Sequence, residues 1–139
     1  MNHLEVIDQY TTLVNSWRLP EGYAVVTGDA ACIMLDLREK VHGIDLDLEG
    51  AFFDQLVRRG KIRQIKDGVE ILLSYGKFTI RRARFLPEEQ RYQEKEGVLL
   101  YPVQDLIRQK EEMLLDENRS GDQHMDDQKD LAGLKDLVV

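Results

Sequence analysis

A single cysteine rules out a disulfide within the chain, which suits a reducing compartment. Cys32 stands in the apolar run AACIML, a setting for a buried, unreactive thiol. The histidines and the cysteine form no H-x-x-x-H, no C-x-x-C and no cluster, so the sequence offers no zinc ligand set. It has no phosphate-binding P-loop and no nucleophile elbow. No apolar run approaches the roughly 20 residues that cross a bilayer, and MNHLEVIDQY lacks the basic start and apolar core of a secretory signal. A cytoplasmic protein without a membrane partner is the expectation. Cations are also in the minority: 19 Lys and Arg face 26 Asp and Glu, for a net charge of -7. That argues against a general polyanion-binding surface but leaves room for a local one. LVRRGKIRQIK and FTIRRARF are both basic, and the acidic excess sits largely in the C-terminal third.

What is present suits one compact domain. The 139 residues are 42% hydrophobic and 32% charged, and they show no repeat and no low-complexity tract. Leu4, Ile7, Leu13, Val14 and Trp17 recur at close to helical spacing, and RLPEG ends that helix. YAVVTG reads as a short buried strand ending at Gly28. DAACIMLDLRE follows as a core helix, with Asp29 placed to cap it. GIDLDLEG alternates with period two and reads as a strand, and AFFDQLVRRG is an amphipathic helix closed by Gly60. KIRQIK, GVEILLSYG and FTIRRARFL read as strands joined by tight turns. PEEQRYQEKEG reads as a loop or an exposed helical turn. VLLYPVQDLIRQKEEMLLDE is a strand and then a helix starting near Pro102. NRSGDQHMDD reads as a flexible connection, and QKDLAGLKDLVV as a short final helix with Leu131, Leu134, Leu137 and Val138 on one face. The expected fold is α/β (α+β), a mixed twisted sheet with flanking helices and a helical C-terminal segment. Residues 1–116 would form the core with its N-terminal helix, and 117–139 a linker and a helix packing on it.

The chemistry concentrates at 45–47. Side chains two apart share a strand face, so Asp45 and Asp47 point the same way, while Ile44, Leu46 and Leu48 point the other. Two carboxylates so close repel unless they are solvated, protonated or bridged by a cation. One reading is a solvated sheet face. The other is a Mg²⁺ site, since Mg²⁺ takes one or two carboxylates plus substrate phosphates. Upstream, VVTGDA ends a strand at a glycine and opens a helix, a turn whose free N–H groups suit a phosphate.

This arrangement resembles the minimal nucleotidyltransferase superfamily, the polymerase-beta-like fold, and within it the small bacterial toxin–antitoxin and abortive-infection type. The likeness is carried by YAVVTGDAACIMLDLREKVHGIDLDLEG, and further by DLIRQKEEMLL and QKDLAGLKDLV, which offer Lys110, Lys129 and Asp130 as equivalents. The resemblance implies transfer of a nucleoside monophosphate from a nucleoside triphosphate to an acceptor, which would be RNA, a protein or a small molecule. It implies Mg²⁺ on Asp45 and Asp47, with Glu70 as a third catalytic acid. It implies nucleotide contacts from Gly28, Asp29, Arg38, Lys40 and Lys110. Asp29 stands where such proteins carry Gly or Ser, and the acid pair can also be aligned with Gly43 in place of the first acid. The alternative function is a catalytically degenerate protein of this fold, acting as a binding or toxin–antitoxin partner through its C-terminal region.

TIRRARF is open to two readings, a solvated sheet face or the wall of a nucleic-acid or triphosphate cleft, and LVRRGKIRQIK would extend that wall if the two strands were neighbours. Trp17 and Tyr23 read as packing residues.

Overall fold

The structure, a computed structural model, describes residues 1–138. It is a mixed sheet flanked by helices with a helical C-terminal segment, the fold class that the patterning predicts. The elements run α1 (His3–Trp17), β1 (Ala24–Thr27), α2 (Gly28–Met34), β2 (Ile44–Leu48), α3 (Gly50–Arg59), β3 (Arg63–Asp67), β4 (Glu70–Tyr75), β5 (Phe78–Arg82), β6 (Gln93–Lys95), β7 (Val98–Leu100), α4 (Val103–Leu114) and α5 (Gly121–Asp136). The seven strands lie in the order β3-β4-β5-β2-β1-β7-β6. β2 is antiparallel to β1 and parallel to β5, and β3, β4 and β5 form the expected antiparallel meander.

Most of the core lies on one face of this sheet. Ile44, Leu46 and Leu48 are buried beside Phe78 and Ile80 of β5, with Leu73 of β4 next to Ile80. α3 covers this face and is fixed from both ends. The Glu49 carboxylate accepts from the Ala51 and Phe52 amides at its start, and Gly60 closes it at φ 63. α1 is capped by Asn2, whose side chain accepts from the Glu5 amide. Its buried stripe is Val6, Tyr10 and Leu13, while Leu4 is 73% exposed, so the inward face is rotated from the predicted one.

Five local predictions are corrected. α2 ends at Met34, because Asp36 turns left-handed at φ 62 and the Leu37 amide closes back on the Cys32 carbonyl at 2.9 Å. Asp29 does not cap α2: Thr27 holds the cap position, and Asp29 sits in the first turn with its side chain turned to cations. The stretch NRSGDQHMDD is not a loose connection. Ser120 starts α5 with a capping box, its hydroxyl accepting from the Gln123 amide at 3.1 Å and its amide donating to Gln123 Oε1 at 2.8 Å. PEEQRYQEKEG also contributes β6, which pairs with β7 as a hairpin. The buried face of α5 is Asp127, Asp130 and Leu134. Leu137 and Val138, predicted to be inward, are exposed.

Candidate functional site

β2 carries the predicted acids on the sheet face opposite the Ile44–Leu46–Leu48 core. Its register places Asp45 between Thr27 of β1 and Thr79 of β5, and Asp47 between Val25 and Arg81. Neighbours in register share a face. Gly43, which replaces the first acid in the other alignment, is held to glycine: a Cβ there would stand 2.7 Å from the Lys77 carbonyl oxygen.

The two aspartates differ in surroundings. Asp47 is 4% exposed and accepts a hydrogen bond from the Tyr101 hydroxyl. Burial raises its carboxyl above the ordinary range, against the lowering pull of Tyr101, Arg81 and Arg84. Asp45 is open to solvent, yet protein crowds its remaining sides. Lost hydration raises its carboxyl, Asp29 adds to the rise, and Arg81 and Lys110 oppose it. Both carboxyls are therefore easier to protonate than an ordinary aspartate.

Asp47 opens onto a cavity of about 540 Å³ whose walls include Arg81, Arg84, Arg91, Arg108 and Tyr101. TIRRARF thus does line a cleft with Arg81 and Arg84. The other basic stretch does not adjoin it, because β4 separates β3 from β5. Glu70 is on β4, half-exposed and paired with Arg81 Nε at 3.2 Å. It is not on a strand next to β2. In the place a third acid would take beside Asp47 stands Arg81.

Gly28 begins α2 directly beside Asp45. Its φ is 64, and a Cβ there would stand 3.1 Å from Asp45 Oδ2, so both backbone and space call for glycine. Its amide, predicted to face phosphate, donates to Gln109 Oε1 at 2.9 Å, and Gln109 Nε2 donates to Thr27 Oγ1 at 2.9 Å. α4 thereby clasps the turn, and that N–H is already satisfied.

Asp29 turns to a separate cluster. The nearest oxygens of Asp29, Asp127 and Asp130 all lie within 4.8 Å of one another, a carboxylate triad spaced to hold a metal ion. The cation at its centre is Lys110, 0% exposed. Its Nζ contacts Asp29 and lies 3.1 Å from Asp127 and 2.9 Å from Asp130. The approach to Asp130 Oδ2 is off the hydrogen-bond direction, so that contact is an ion pair alone. Arg38 reaches Asp29 at 2.8 Å and Asp126 at 2.9 Å, and Arg119 reaches Asp127 at 2.8 Å. Burial favours a neutral Asp29, but Lys110 and Arg38 outweigh it and hold the carboxyl below its ordinary value. Burial likewise opposes the Lys110 charge and loses to the same acids, so the ammonium is held more firmly than usual. For Asp130 burial prevails, and its carboxyl is raised.

The predicted nucleotide contacts thus separate. Gly28 adjoins Asp45, whereas Asp29, Arg38 and Lys110 neutralise one another beside it. Lys40 is exposed and is not on the cavity wall. Tyr101, Gln109, Arg91 and Arg108 went unread in the sequence. Tyr101 stands at the end of an apolar strand before Pro102, where nothing local marks it as a partner for Asp47.

In sequence comparison, no family model and no curated protein matches the chain.

Proposed function

We propose that the chain seats a nucleoside triphosphate with Mg²⁺ against Asp45 and Asp47 and transfers its nucleoside monophosphate to an acceptor. The observation that carries this reading is the shared face of the two aspartates, with Asp47 in the wall of a cavity that four arginines also line. The donor set suits Mg²⁺, which needs only one or two protein carboxylates when phosphate oxygens complete its shell. When bound, the ion would neutralise charge on the phosphates and on the acceptor oxygen. Asp45 and Asp47 would hold it, and Tyr101 orients the Asp47 carboxylate by its hydrogen bond. Arg84, Arg91 and Arg108 would bind phosphate oxygens from the cavity wall. Asp29 does not repel the nucleotide, because Lys110 and Arg38 already balance it.

A second reading is a binding protein of the same fold without catalysis. It is favoured by Arg81 standing where a third acid would help, and by Gln109 occupying the Gly28 amide.

Binding of each nucleoside triphosphate with Mg²⁺, followed by calorimetry, together with transfer of radiolabel from the α-phosphate to RNA or protein of a lysate, separates the two. The transfer reading expects Mg²⁺-dependent binding and labelling, both abolished in Asp45→Asn/Asp47→Asn. Binding without labelling under any divalent ion supports the second reading. No binding of any triphosphate to folded protein overturns the first.

A further inference from the structure

β3 is an outer strand of the sheet, with β4 on one side and, among the described residues, no strand on the other. Arg63, Gln64, Ile65, Lys66 and Asp67 are all exposed, so neither a helix nor a loop covers that side. Along an antiparallel strand, alternate residues turn their N–H and C=O groups away from the neighbour. On β3 those groups meet no strand, and such an edge is a template for another one. Charged side chains blunt the edge against most strands. The order of charge along RQIKD decides which strand they admit.

The pairing with β4 fixes which residues share a face. Arg63 is opposite Ser74, Ile65 opposite Leu72, and Asp67 opposite Glu70, all on the face that carries Asp45 and Asp47. Ile65 is exposed and Leu72 half-exposed, an apolar pair without cover. Gln64 and Lys66 lie on the other face, opposite Leu73 and Ile71. A second β3, laid antiparallel with Ile65 against Ile65, sets Arg63 of each copy against Asp67 of the other. The rows across the seam then read Ser74–Arg63–Asp67–Glu70, Leu72–Ile65–Ile65–Leu72 and Glu70–Asp67–Arg63–Ser74. Each arginine meets an acid, and Ile65 and Leu72 of both copies become contiguous. On the opposite face Lys66 meets the uncharged Gln64. Sliding the copies toward their turns sets Lys66 against Lys66 and then Asp67 against Asp67. Sliding them the other way sets Arg63 against Ile65 and then against Arg63, and a parallel pair aligns like with like. The charges therefore select the antiparallel register centred on Ile65.

We infer that β3 is a self-pairing edge: two copies of this chain join β3 to β3 about a two-fold axis at Ile65 and form one continuous sheet. The axis is normal to the sheet, so both Asp45–Asp47 pairs face the same side. No residue of β3 lines the cavity beside Asp47, and the pairing leaves both cavities open. The inference stands on the open edge, its charge order and the uncovered Ile65–Leu72 pair, and it does not depend on the transfer reading. One short strand from each copy makes a small contact, so the dimer is weak and depends on concentration.

The test is sedimentation equilibrium of the full chain from about 1 µM to about 1 mM, the range in which small interfaces associate. Wild type is expected to approach twice the mass of one chain. Arg63→Asp and Asp67→Arg each set like charges against each other at both ends of the seam, and each weakens self-association at least about tenfold. Mixed in equal amounts, the two variants associate again, because each offers the charge that the other lacks. The double exchange Arg63→Asp/Asp67→Arg associates as wild type does. Circular dichroism melts establish that each variant is folded. Should either single variant fail to fold, Ile65→Lys replaces it; it sets like charges on the axis and is expected to be monomeric. The inference is overturned if wild type stays monomeric throughout, or if the single variants associate as wild type does, because another surface then joins the copies. Loss of association that neither mixing nor the double exchange restores also overturns it, because the two charges then act within one chain.

Discussion

Two groups of aspartates flank the Gly28 turn, and they have opposite electrostatic fates. Asp29, Asp127 and Asp130 converge on a lysine with two arginines behind it, so their charges are met by side chains. Asp45 and Asp47 share a sheet face with no cation in ion-pair contact among the described residues, and lost hydration raises their carboxyls. The cluster with more acids is already occupied by cations of the chain, and the proposed metal site falls to the pair with fewer. What already neutralises each carboxylate separates the two groups more sharply than their number does.

The sharpest way to break this contrast is to remove the lysine. Lys110→Met should destabilise the fold by about 3–5 kcal/mol in urea unfolding, because it strands buried carboxylates. If the triad then behaves as a vacated cation site, Ca²⁺ or Mg²⁺ should raise the melting temperature of the variant and leave that of Lys110-containing protein unchanged. Next in size is Gly28→Ala, which forces a side chain into a left-handed backbone and against Asp45; a loss of about 1–2 kcal/mol is expected. Tyr101→Phe should cost about 1 kcal/mol by taking the donor from a buried acceptor. It should also weaken nucleotide binding, whereas Ser120→Ala, a loss of about 1 kcal/mol from the α5 cap, should leave it unchanged.

The subtlest prediction is one of sign. A carboxyl held below its unfolded value stabilises the fold at neutral pH, and that stabilisation is lost as pH falls through the folded pKa. Asp29 is such a group. Asp29→Asn should therefore lower stability near pH 7 by about 1 kcal/mol, a figure kept small because its side chain is partly solvated. The deficit should shrink in acid. Asp47 is the reverse case: its raised carboxyl makes the charged form a cost above the folded pKa, and the cost disappears as pH falls through that value. Asp47→Asn should be more stable than wild type near pH 7 and lose its advantage in acid. Melting temperatures of both variants across pH 4–8 check the crossing.

Local patterning made much of this fold legible. The period-two alternation of GIDLDLEG placed both acids on one face, the tight turns marked the β3–β4–β5 meander, and Gly60 closed α3. What escaped depends on contacts between distant parts of the chain. β2 pairs in parallel with β5, and only that pairing sets Arg81 beside Asp47 and leaves Glu70 a strand further out. The start of α5 was unreadable for a related reason. Its inward face holds Asp127 and Asp130, residues that read as exposed until Lys110 from α4 meets them. Burial of an acid depends on its partner, and the partner is remote in sequence.

Manganese line broadening tests the difference between the two aspartate groups most directly. Mn²⁺ added with a nucleoside triphosphate to ¹⁵N-labelled protein should erase the amide signals of Asp45, Leu46, Asp47 and Thr79 first. Signals of Asp127 and Asp130 should persist to higher Mn²⁺. Broadening that begins on α5, or that spreads over surface acids without favouring β2, would contradict the assignment of the divalent site to Asp45 and Asp47.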